Sequence, residues 1–231
     1  MKAFKTIAII GAMREEIAPL LEHFKDYETI EKGENLYYKI TQKDRTIIIA
    51  YSKIGKIHAS LTCSTMILHF GAECVIFSGV AGGLQNLKVG DMILATSLCQ
   101  YDVDITAFGH PLGFIPESKI YFDTSTNLNN IARIVAKEQN ISLKEGIIAS
   151  GDSFVFDNAK KQWIIKHFNA SAVEMEGISI AVVSSLLNVP FCVIRSISDS
   201  ADEEANISFD EFLVESAKKS ARFVISMLEK L

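Results

Sequence analysis

The sequence predicts an α/β domain, a sheet flanked by helices, and three observations predict it. The hydrophobic period switches repeatedly between short apolar runs and stripes at i, i+3, i+4, i+7. Acidic or small residues follow the apolar runs, and the composition can fill a core. The 231 residues are 48% apolar and 22% charged, with a mean hydropathy of +0.21, too apolar for a disordered chain and sufficient to bury a sizeable interior. No linker, repeat or low-complexity tract divides the chain, so one domain over residues 1–231 is expected.

The elements follow in order. Residues 6–10 form a short apolar run ending at Gly11, after which Ile17, Leu20, Leu21 and Phe24 recur at helical spacing: strand, tight turn, helix. Residues 36–40 and 46–51 read as paired strands, and Ile57, Leu61, Ile67 and Phe70 mark the next helix. A strand follows at 74–78, a helix through Leu128, Ile131, Ala132 and Val135, and a short strand at 146–149. Ile178, Ala181, Val182 and Ser185 mark a helix ahead of Pro190, with a buried strand at 191–194. Ser208 and Glu211 form an S-x-x-E pattern ahead of an apolar stripe, which predicts a capping box opening the last helix. Residues 101–121 carry aromatics and two of the four prolines without periodicity and read as a long loop, a kind of segment that is often functional.

Charge and cysteine usage exclude several classes. With 23 Lys+Arg against 28 Asp+Glu the formal charge is −5, and no basic block is present, so neither nucleic acid nor a membrane surface is an expected partner. The opening MKAFKTIAIIGAM is interrupted by Lys5 and runs into Arg14-Glu15-Glu16, unlike a cleaved leader. No apolar stretch approaches the ~18 residues of a membrane span. Cys63, Cys74, Cys99 and Cys192 form no C-x-x-C pair and read as reduced core thiols, which suits a cytoplasmic protein.

In open α/β sheets ligands sit beyond the carboxyl ends of strands, so acids there are the first candidates for chemistry. Glu15 and Glu16 follow the first strand; they can complement a helix dipole or act on a ligand. Glu174 and Glu176 end the run 172–176, where a period of two would set both on one strand face with Met175 opposite. The plain alternative is a solvated edge. Asp199 ends the run 194–198, where burial should raise its pKa toward that of a general acid, unless it merely caps a helix or pairs with Arg195. Residues 77–83, FSGVAGG, read as a glycine turn whose N–H groups could approach a ligand, or as only a turn. Gly11 alone does not make a dinucleotide motif, and P-loop, H-E-x-x-H and G-x-S-x-G are absent. The five histidines lack metal-ligand spacing. Four fall in helical stretches, whereas His110 lies with Phe108 and Pro111 in the long loop.

The stretches IAIIGAMREEI, YSKIGK, FSGVAGGL, VGD, DVDITAFGH, SGDSF, VEMEG, RSISDSAD and SFDEFL occur in this order between residues 7 and 213. Together they resemble the 5′-methylthioadenosine/S-adenosylhomocysteine nucleosidase family, and GAMREE, SGVAG and AFGHPLGFIPES resemble its branch that also cleaves 6-amino-6-deoxyfutalosine, a menaquinone precursor. The resemblance implies a three-layer, purine nucleoside phosphorylase-like fold with a central twisted mixed sheet, hydrolysis of 5′-substituted adenosines in methionine salvage and methyl-cycle recycling, and no metal or cofactor. It implies that Asp199 protonates adenine N7, with Ser198 and Ala201 beside the base, and that Glu16 activates the attacking water. Glu176 would grip the ribose hydroxyls, Met175 pack under the sugar, Glu174 support them, and Arg195 lie near ribose and water. Phe154 would stack on adenine, the backbone of Val155 read its edge, and Met13, Ile54 and Phe209 line the sugar and 5′ pockets. Phe108, His110 and Pro116 match a loop lent by the second subunit of a homodimer. Val80 stands where many relatives have a serine touching the ribose side, and His110 where an aromatic phenol is commoner. Two other readings stay open: a phosphorylase of the same fold, which would need a cationic anion site, and a nucleoside-binding module without turnover.

Overall fold

The computed structural model describes residues 4–231. Residues 1–3, which begin both the expected domain and the segment read for a leader, lie outside the described residues. The elements run β1 (Thr6–Gly11), α1 (Arg14–Phe24), β2 (Glu28–Lys32), β3 (Asn35–Thr41), β4 (Thr46–Tyr51) and α2 (Lys56–Leu68). Next come β5 (Cys74–Gly83), β6 (Met92–Gln100), a 3₁₀ turn at Thr106–Phe108, β7 (Tyr121–Asp123), α3 (Thr126–Glu138) and β8 (Leu143–Ser150). The chain closes with α4 (Asn158–Phe168), β9 (Ala170–Glu174), α5 (Gly177–Leu186), β10 (Phe191–Asp199) and α6 (Ala205–Leu228).

The strands form one mixed sheet in the order β10-β6-β8-β9-β5-β1-β4-β3-β2, with β7 added to β6 and β10 also paired to β5. Five strands therefore close into a ring, from which β1, β4, β3 and β2 extend. Alternation within the central strands shows why both faces must be covered. In β1, Ala8 and Ile10 point into a core shared with α2 and α5, where Cys63, Met66, Ile178 and Ala181 pack. Ile7 and Ile9 point the opposite way, into a core completed by Ile17 and Leu20 of α1, Leu128 and Ile131 of α3, and Phe223 and Val224 of α6. A third cluster beneath α4 joins Ile164 and Phe168 to Tyr101, Ala149 and Val173. This is a three-layer α/β arrangement. Among the described residues no helix is long and apolar enough to cross a membrane.

The sheet brings carboxyl ends together. β1, β4, β5 and β10 run parallel, as do β8 and β9, while β9 meets the end of β5 antiparallel through Gly82 opposite Val173. The last residues of β1, β5, β8, β9 and β10 thus converge. A bulge between Ile197 and Asp199 re-aims the end of β10, as bulges beside functional sites do.

Three expectations are corrected. The stretch at 77–83 is not a glycine turn: β5 stays extended through Gly83, and its glycines serve close approach instead. A Cβ on Gly79 would run into Glu16 Oε1 and Arg195 Nη1, and one on Gly82 would lie 2.8 Å from Asp199 Oδ1. The run 172–176 is not one strand, because β9 stops at Glu174 and Glu176 is already the N-cap of α5. Finally, Ser208 and Glu211 do not cap α6. The Asp202 carbonyl and carboxylate accept the N–H groups of Ala205 and Glu204, so the helix starts at Ala205 and the Ser208 N–H already bonds to the Glu204 carbonyl. Ser208→Ala is accordingly expected to change stability by no more than about 0.5 kcal/mol, as at an ordinary interior position, rather than the ~1 kcal/mol of a lost cap; urea denaturation of the two proteins decides between these.

Candidate active site

Where the carboxyl ends converge lies a cavity of about 400 Å³. Among the described residues its wall includes the carboxylate-bearing side chains Glu16, Glu174, Glu176, Asp199 and Asp210, and no Lys, Arg or His. Asp210 is exposed, but Glu16, Glu174, Glu176 and Asp199 are buried, and four acids out of water are costly unless main-chain dipoles and a counter-charge solvate them; both are present.

Glu16 sits in the first turn of α1, almost wholly buried. Its Oε2 accepts the N–H groups of Ala12 at 2.5 Å and Met13 at 3.0 Å, and its Oε1 accepts that of Val80 at 2.8 Å. Burial nevertheless holds the carboxyl above its ordinary range, opposed by the Arg195 charge and these three donors. Because Val80 contributes through its main chain, the valine keeps that contact whatever its side chain.

Glu174 is saturated. It accepts the Ser150 hydroxyl, the N–H of Glu176 at 3.1 Å and of Gly177 at 2.7 Å, and Arg195 Nη2 at 2.6 Å. The first turn of α5 would otherwise leave those N–H groups unpartnered, so Glu174 turns the chain and delivers Glu176 to the wall. Glu176 Oε1 accepts the Gly55 N–H at 2.8 Å. Burial and then the neighbouring Glu174 charge raise its pKa, against Arg195 and that N–H.

Asp199 Oδ1 accepts the Ala201 N–H at 2.9 Å and Oδ2 the Ser198 hydroxyl at 2.9 Å. Burial is the first cause of its raised pKa, ahead of these two opposing bonds. Glu16 meets β5 at Val80 and Asp199 meets it at Gly82, two residues further along the strand. Both open into the same cavity.

The remaining walls are apolar. Phe154 and Phe209 meet edge to face at 5.6 Å, beside Met13, Ile54, Val155 and Met175. Arg195 is not in the wall: it is fully buried, stacked 3.7 Å from the Phe77 ring and paired to Glu174. The pairing of Asp199 with Arg195 weighed from the sequence does not occur. Ala201 lies behind Asp199, where its N–H acts. Phe108, 82% exposed, His110, stacked on Phe114 at 4.9 Å, and Pro116 stay out of this chain's own cavity.

The sequence matches the Phosphorylase superfamily over residues 6–229. It is 56% identical to the aminodeoxyfutalosine nucleosidase of Helicobacter pylori strain J99 over 97% of this chain and 99% of that one. It is 38% identical to the 5′-methylthioadenosine/S-adenosylhomocysteine nucleosidase of Staphylococcus carnosus, over 97% and 100%. The chain belongs to this nucleosidase family. A solved structure of a Helicobacter pylori relative, an Asp-to-Asn mutant with 5′-methylthioadenosine in its active site, superposes with a TM-score of 0.96 at 54% identity, covering 98% of this chain and 99% of the other.

In this nucleosidase-family chain some wall residues had no sequence signal of their own. Ala12 and Ser153 line the wall, and the Ala12 and Gly55 amides act on Glu16 and Glu176 through the backbone. Asn206 and Asp210 share a face of α6 with Phe209 at i, i+3, i+4, a spacing that could have disclosed them had the helix start been placed at 205.

Raised pKa values are also stability statements. A carboxyl whose folded pKa lies above its unfolded value adds stability below the unfolded value, near 3.9 for aspartate, and loses it as pH rises through the folded one. At neutral pH Asp199 thus destabilises the fold. Asp199→Asn is expected to melt higher than the native protein at pH 7, the difference vanishing as pH falls to about 4; melting curves across that range test the sign.

Proposed function

We propose that this chain is an N-glycosyl hydrolase releasing adenine from 5′-substituted adenosines: methylthioadenosine, adenosylhomocysteine, 5′-deoxyadenosine and 6-amino-6-deoxyfutalosine. The observation that carries it is one cavity holding three buried carboxyls of raised pKa, Asp199, Glu16 and Glu176, with no cation in its wall among the described residues. Adenine leaves poorly as an anion, so protonated Asp199 donates its proton to N7, and the C–N electron pair departs with the neutral base. The sugar becomes oxocarbenium-like. Ionised Glu176, bonded to the ribose hydroxyls, stabilises that charge, and Glu16 takes a proton from the water that attacks the anomeric carbon. Arg195 acts through Glu174 and through its field on Glu16 rather than by touching the sugar.

The other walls fit the same ligand. Phe154 offers a face to the purine and the Val155 backbone its edge, while Met13 and Met175 flank the sugar. Ser198 and Ala201 hold Asp199, and Ile54 with Phe209 forms an apolar mouth suited to a thioether. The identity to named aminodeoxyfutalosine nucleosidases supports including the larger substrate. Residues 1–231 then form one nucleosidase domain. Four buried free thiols suit a reducing, cytoplasmic setting.

A homodimer completes the mouth in this reading. Phe108, His110 and Pro116 are exposed and lie outside their own cavity, and α2 exposes Ile57, Leu61 and Leu68, the kind of surface an interface covers. Sedimentation showing a fully active monomer would reject the shared loop.

Phosphorolysis is disfavoured because phosphate would meet acids and no cation. Incubation with methylthioadenosine in phosphate-free buffer should release adenine, and release only after phosphate is added would reverse that conclusion. Asp199→Asn should lose on the order of 10²–10⁴-fold in turnover with ligand binding retained, since the amide keeps shape but carries no transferable acidic proton. Binding without turnover in the native protein would favour a binding module.

A further inference from the structure

The grip of Glu176 depends on one amide. Gly55 has φ +98°, a conformation that suits glycine, and in it the Gly55 N–H points at Glu176 Oε1, 2.8 Å away. The backbone then enters α2, whose N-cap has no side-chain bond of its own. The next N–H, of Lys56, is instead accepted by Asp152 Oδ1 at 2.9 Å, from the loop between β8 and α4. Asp152 is itself fixed. Its N–H donates to Asp102 Oδ2 at 2.8 Å, and Lys56 Nζ reaches both Asp102 oxygens at 2.6 and 2.8 Å and Asp152 Oδ2 at 3.6 Å.

We propose that Asp152, braced by Asp102 and Lys56, is a positioning residue that holds the Gly55–Lys56 turn so that the Gly55 amide orients the Glu176 carboxylate for the ribose. The proposal rests on the hydrolytic reading of the cavity. Surface ion pairs alone contribute little, so the work lies in the Asp152 bond to the Lys56 main chain. The purine wall has a separate anchor: the Tyr101 hydroxyl bonds to the Ser153 carbonyl at 3.0 Å. Loss of the Asp152 carboxylate therefore falls on the ribose side. The groups facing Glu176 are Glu174 from β9, Arg195 from β10, Glu16 from α1 and the Gly55 N–H, and only the last of these hangs on Asp152.

The test is Asp152→Ala beside Asp152→Asn, which keeps an acceptor oxygen. The alanine variant should raise KM for methylthioadenosine by about tenfold, the effect of losing a hydrogen bond to a charged group, while inhibition by free adenine is unchanged. Its acid limb of kcat/KM should move to higher pH, because the anion at Glu176 loses a donor, and the asparagine variant should restore both. Unchanged KM and acid limb, equal weakening toward adenine, or failure of the asparagine to rescue would overturn the proposal. If the alanine variant does not fold, Asp102→Ala should show the same two shifts in smaller amount, and native values there would overturn it equally. Absence of adenine release by the native protein would instead refute the hydrolytic reading.

Discussion

The buried ion pair between Arg195 and Glu174 at 2.6 Å is the interaction that lets the rest of the site hold so much negative charge. Neither partner is reachable by solvent to any useful extent, and a buried pair is rarely a net source of stability. What it supplies is placement. Glu174, neutralised by the guanidinium, terminates β9 and opens α5, and the same guanidinium lowers the cost of ionising Glu16 and Glu176. Its Nη1 and Nε have no protein partner among the described residues, so the positive field is not spent within the ion pair.

Around that pair, main-chain N–H groups do most of the remaining solvation. Glu16 has three, Glu174 those of Glu176 and Gly177, Glu176 that of Gly55, and Asp199 that of Ala201. The strand that carries the crowding, β5, has glycine where Glu16, Arg195 and Asp199 press against it. Preorganised dipoles of this kind need no rearrangement as charge develops on a bound molecule. At Glu16, Glu176 and Asp199 burial opposes ionisation while these dipoles favour it.

Much of this was legible in the residues. The strand-turn-helix at the start and the buried strand leading to Asp199 followed from periodicity alone. The fold family and the nucleosidase reading came from the ordered motifs, not from periodicity. Misread parts share a cause: local rules lost to tertiary contacts. A glycine cluster that by itself signals a turn stayed extended because side chains from α1 and β10 fill the space above it. An acid pair spaced for one strand face was split by the helix that Glu174 caps. β6 carries no clear strand signal although most of it is buried, because its Thr and Ser break the apolar run. Gly55 carries nothing in its side chain that could announce its role, since its contribution is one amide hydrogen in a left-handed turn.

The reliance of Glu16 on backbone donors bears on how the protein can diverge. The side chain of Val80 is apolar, yet its amide meets Glu16 at 2.8 Å. Any residue but proline carries that hydrogen, so side chains there can drift over generations without erasing the contact. Variation in what such a chain accepts is thus channelled outward, to the helix face where Asn206, Phe209 and Asp210 form the cavity wall.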